Sequence, residues 1–167
     1  MLRDLATDLC SALEPGRMRH SLGLILSCLG LLAVLACEPT NGTQSHGGPV
    51  ADHVSFVDAL RREGYTVEIL GEVQQPFLSA NGTRLRVRGA GLEQGEELQS
   101  YDYETADAAK ADASQIEPDG NVTGSKIAWI GSPHFFLRGR VLVIYVGDKP
   151  EAIRVWTKLL GPQFAGR

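Results

Sequence analysis

The sequence predicts an α+β domain, a mainly antiparallel sheet with helices on one face, in the order α-β-β-β-β-α-β-β-α. Three observations carry that expectation. Helical apolar spacing recurs at three separate places, residues 52–64, 105–116 and 148–160. Between them lie short segments of alternating apolar and polar residues, bounded by glycine, proline and asparagine. One segment near the end, 140–146, is apolar at nearly every position, as a strand covered on both faces must be.

Taken in order, residues 52–64 put Val54, Val57 and Leu60 on one side of a short helix. Asp52 or Ser55 suits its start and Gly64 its end. Residues 66–73 alternate as a strand. Residues 77–88 read as a hairpin turning at Asn81-Gly82, a pair that tolerates the positive φ of a two-residue turn. After the glycine-rich stretch 89–95, residues 97–103 form the next strand.

Residues 105–116 form a helix with Ala106, Ala109, Ala113 and Ile116 on one side, small enough to lie close against a sheet. Pro118-Asp119-Gly120 ends it. Residues 126–130 and 140–146 are strands, the second central in the sheet. The last helix starts at Asp148-Lys149-Pro150-Glu151, with Asp148 as cap, and buries Ala152, Val155, Trp156, Leu159 and Leu160.

Upstream of this domain the chain changes character. Residues 21–36 carry no charge but are shorter than the roughly 20 residues of a spanning helix. Arg17, Arg19 and His20 precede them, and Val34-Leu35-Ala36-Cys37 closes the run. A basic start, a short apolar core and small residues at a cut mark an export signal. Val34-Leu35-Ala36-Cys37 resembles the lipobox of bacterial lipoproteins. That resemblance covers the signal segment alone. It implies that Cys37 is lipidated on its thiol and becomes the new N-terminus, with Ala36 the last residue removed.

Residues 37–50 then make a flexible tether, rich in Gly, Pro, Ser and Thr, before a single domain over 51–167. The resemblance further implies a location at the cell membrane or outer membrane, lipid-anchored and facing the periplasm or exterior. More than one acyl chain is needed for stable anchoring. Residues 1–17 fit this scheme poorly, because Asp4, Asp8 and Glu14 stand where a signal carries positive charge. Residues 1–17 are therefore expected to be a mis-assigned start, with translation beginning at Met18, or else a leader, and 18–36 are the signal peptide.

The whole chain carries 16 Lys and Arg against 20 Asp and Glu, a net −4. Mild acidity argues against a nucleic-acid binder, which needs a basic footprint. All three cysteines, Cys10, Cys28 and Cys37, fall at or before the expected cut. The domain therefore has no disulfide, no cysteine nucleophile and no zinc-thiolate site. No metal site and no cofactor are expected.

Few residues suggest chemistry. Arg84, Arg86 and Arg88 alternate along one strand, so they share a face and can meet an anionic ligand or pair with neighbouring glutamates. Tyr101 and Tyr103 share a parity and would form a stacking platform if their face is open; otherwise they are core. His134 is the one histidine set among residues expected to be ordered, but no nucleophile elbow accompanies it. Gly120-Asn121-Val122-Thr123-Gly124-Ser125-Lys126 leads into a strand, not a helix, and so is not a phosphate loop.

The function expected from these residues is a non-enzymatic binding or interaction module of the cell envelope. Its partners would be the membrane, through the anchor, and an anionic ligand, a glycan or an envelope protein. Two alternatives stand beside it: a hydrolase-type enzyme using His134, and a structural or assembly lipoprotein.

Overall fold

The structure is a computed structural model that describes residues 48–125 and 127–167. The signal segment, Cys37, the expected start at Met18 and most of the tether lie outside the described residues. Among the described residues no helix is long and apolar enough to cross a membrane.

The first helix, α1 (His53–Arg62), begins at a reciprocal cap: Asp52 accepts from the Ser55 backbone N–H at 2.8 Å, and Ser55 Oγ accepts from the Asp52 N–H at 3.0 Å. Phe56, Val57, Ala59 and Leu60 are its buried apolar residues, while Val54 stays exposed, so the apolar face is turned from the one expected. Strands β1 (Thr66–Val73), β2 (Gly82–Arg88) and β3 (Glu96–Asp102) follow, then α2 (Ala106–Ala113), capped by Thr105. Strands β4 (Pro133–Arg138) and β5 (Val141–Val146) precede α3 (Pro150–Leu160) and a two-residue strand β6 (Ala165–Gly166).

All neighbouring strands are antiparallel, in the order β1-β2-β3-β5-β4-β6. The α+β class and the antiparallel sheet are as expected, and β5 is central, buried on both faces. Its side chains alternate between two cores. Val141, Val143 and Tyr145 join Leu85, Val87 and Leu98 beneath α1 and α3. Leu142 and Ile144 join Tyr101 and Phe135 beneath α2. Thus α1 and α3 share a face, and α2 lies on the other. The sequence marks which side of α2 is buried but not which face of the sheet receives it.

Three boundaries differ from expectation. β1 is the hairpin partner of β2, with Val73 opposite Gly82, so Asn81-Gly82 is not a two-residue turn. Residues 77–80 form no strand; Phe77 and Leu78 tuck into the second core from the connecting loop. Residues 127–130 form no strand either, and β4 begins at Pro133, where a missing N–H is tolerated. Ile127 and Trp129 still alternate inward, because they cap the second core from a loop. Finally, Lys149 rather than Asp148 is the cap of α3, and no side-chain bond closes it.

α2 packs chiefly on β4 and β5. On that face, no helix among the described residues lies over β1, β2 and the start of β3. Polar side chains occupy this uncovered half.

Candidate functional site

The uncovered half-face is built by register. Glu68, Arg86 and Glu97 lie in one row across β1, β2 and β3. Arg86 donates to Glu97 at 2.5 Å and to Glu68 at 3.3 Å, and Arg88 reaches Glu68 at 3.7 Å. The hydrogen bond that Arg86 donates to Glu97, with both carboxylate charges, pushes its guanidinium further above its ordinary range. These two arginines are therefore balanced by neighbours, as on any solvated sheet face.

Arg84 differs. Its cross-strand partners are Gly71 and Gln99, neither of them acidic, and it forms no ion pair among the described residues. It lines a cleft of about 650 Å³ together with Gln75, Gln99, Trp129, Val146 and Asp148. That volume lies within the roughly 300–1,000 Å³ usual for small-molecule sites.

Two features make the cleft rigid. The Trp129 indole N–H donates to the Gly120 carbonyl at 3.3 Å, and its ring meets Phe77 and Phe135 edge-on at 6.4 and 5.6 Å. Gln99 Oε1 accepts from both the Tyr101 hydroxyl at 2.6 Å and the Gln75 amide at 3.0 Å. With its oxygen doubly engaged, Gln99 keeps an NH2 group with no partner among the described residues, beside Arg84 in the register. The site thus presents two adjacent donors and an aromatic wall.

Tyr101 and Tyr103 are not a stacking platform. They are 0% and 4% exposed, in the core beneath α2. Burial pushes both hydroxyls well above the usual tyrosine range, and the charge of Asp112 adds to the effect at Tyr103. Tyr101 serves the cleft only from beneath, through Gln99.

His134 is 4% exposed on β4. Its Nδ1 lies 2.6 Å from Gln163 Oε1 and its Nε2 3.0 Å from the Gly147 carbonyl oxygen, and its ring stacks on Tyr145. A neutral ring donates from one nitrogen only, so the Gln163 amide then turns its NH2 group to the other. No serine and no carboxylate is among its hydrogen-bond partners. The arrangement ties the chain after α3 to the sheet and offers no base for a hydrolytic step.

A second histidine cluster left no mark in the sequence, because its members are far apart. His53 Nδ1 lies 2.9 Å from Ser100 Oγ, and the His53 backbone N–H donates to Asp102 at 3.3 Å. Arg140 pairs with Asp102 at 3.4 Å and Asp52 at 3.5 Å. The residue types are those of a catalytic triad, but the geometry is not. Ser100 is 1% exposed under α1, and Asp102 holds the backbone of His53, not its ring. The cluster clamps the start of the domain to the end of β3. Gly139, at φ +58, completes the clamp, since a Cβ there would strike the Ala51 backbone.

Among the described residues, no group of three or more His, Cys, Asp or Glu side chains is placed to hold a metal ion. Comparison with protein-family models, curated proteins and solved structures returns no match to this chain.

Proposed function

We propose that this chain is a small exported lipoprotein, anchored through Cys37, whose domain is a non-enzymatic binding module of the cell envelope. The ligand site is the cleft on the uncovered half of the sheet. One observation carries this reading: Arg84 is the arginine of its row without a carboxylate, and it stands in a walled cleft beside a second free donor, Gln99. A charge left unpaired on a rigid surface favours an anionic group on the partner. The anchor rests on Val34-Leu35-Ala36-Cys37 and the uncharged run before it.

Native mass spectrometry of the full chain, taken from membranes in mild detergent, tests both halves. The expected species begins at Cys37, carries acyl groups and retains an adduct that Arg84→Ala loses. An unlipidated chain keeping residues before Cys37 overturns the anchor. An adduct that persists unchanged in Arg84→Ala overturns the cleft.

A further inference from the structure

Resting on the cleft reading above, we infer that its ligand is a carboxylated saccharide, with the acid on Arg84 and Gln99 and a sugar ring against Trp129. The charge of the cleft selects the anion. Arg86 and Arg88 are committed to Glu68 and Glu97, which leaves one guanidinium for the ligand. Asp148 and Glu97 line the same cleft. Glu97 is balanced by Arg86, so a dianionic phosphate meets one free cation and the carboxylate of Asp148 there, an unfavourable balance. A monocarboxylate is matched by a single fork of donors.

The walls select the rest of the molecule. An acyl chain gains affinity by covering apolar surface, yet Ile144 in the floor is already 0% exposed. What remains is the aromatic wall of Trp129, half-buried and held by its edge contacts, with half-buried Ile127 and Val146 and fully exposed Ile130 beside it. A pyranose offers a C–H face for such a wall and hydroxyls that donate to Asp148. Polar donors beside an aromatic surface suit an amphipathic ring better than a purely apolar or purely charged ligand.

The test uses the full chain in detergent and equilibrium binding to oligosaccharides of glucuronic, galacturonic and N-acetylmuramic acids. Their carboxyl-reduced neutral forms, inorganic phosphate, decanoate and dialanine are the controls. At least one acidic oligosaccharide is expected to bind, about tenfold or more tighter than its reduced form. Arg84→Ala, an exposed position, should lose a similar factor, while Arg88→Ala stays within about twofold. Binding of no acidic oligosaccharide, or equal binding of the reduced form, overturns the saccharide. If phosphate, decanoate or dialanine binds through Arg84 instead, the saccharide is wrong and the cleft stands. If no probe depends on Arg84, both are wrong.

Discussion

The ring of Tyr101 occupies the space that a side chain at position 82 would need. Gly82 and Tyr101 are register partners on β2 and β3, and a Cβ at Gly82 would come within 2.5 Å of the ring. The glycine lets the ring lie flat across the neighbouring strand, where its hydroxyl reaches Gln99. Gly82→Ala must displace a fully buried ring. It should destabilise the domain by about 1–3 kcal/mol, as overpacked cores do, read as a lower urea midpoint. A midpoint equal to that of the parent chain would show that the ring moves aside freely.

Tyr101→Phe isolates the hydroxyl from the ring. Core packing is kept, and the bond that holds the Gln99 oxygen is lost. The cost in stability should be about 1 kcal/mol. Ligand affinity at the cleft should fall several-fold as Gln99 gains freedom, a loss that Tyr103→Phe does not reproduce, because the Tyr103 hydroxyl has no hydrogen-bond partner among the described residues. Equal affinity in Tyr101→Phe and the parent would remove Gln99 from the site.

His134 and Gln163 should behave as one structural unit. Gln163→Ala leaves a nitrogen of the buried His134 ring without its partner, costing about 1–3 kcal/mol, whereas His134→Ala removes the ring and leaves the exposed Gln163 to solvent. The double replacement should cost less than the two singles combined, with a coupling of about 1 kcal/mol in a double-mutant cycle by urea unfolding. Strict additivity would mean that the 2.6 Å contact contributes nothing.

His53 predicts a loss of stability in mild acid. Burial holds its ring below the ordinary 6.5, against the opposing pull of Asp102 and Asp52. As pH falls through 6.5 the unfolded chain takes up a proton that the folded chain resists. Stability therefore falls from that point down to the folded value and is fully present above it. The urea midpoint should drop as pH falls through 6.5, and drop less in His53→Gln. An unchanged slope in the variant would assign the effect to other groups.

Legibility in the sequence followed the range of the interaction. β5 is written as an unbroken apolar run and α3 as a helical stripe, and both stand where their patterns place them. Gly82 shows the limit: beside Asn81 it carries the local signature of a turn, yet the residue that requires glycine there is Tyr101, 19 positions away and across a strand boundary. The 127–130 loop shows another, since Ile127 and Trp129 alternate like a strand while capping a core.

At the site, parity placed Arg84, Arg86 and Arg88 on one face correctly. What separates Arg84 from the other two is the identity of its cross-strand neighbours, and register is not readable from one strand. The same holds for Gln99, whose free amide group depends on Tyr101 and Gln75. His53 and Ser100 meet across 47 positions, which no local pattern encodes.

The central claim is that ligand binds in the cleft beside Arg84, and the two tryptophans of the chain test it within one spectrum. Trp129 forms a wall of the cleft, and Trp156 lies 0% exposed in the opposite core. In the nitrogen-15 spectrum of the labelled chain, the account predicts that an acidic oligosaccharide shifts the Trp129 indole resonance and leaves that of Trp156 in place. A Trp129 resonance that stays fixed with every anionic probe contradicts it.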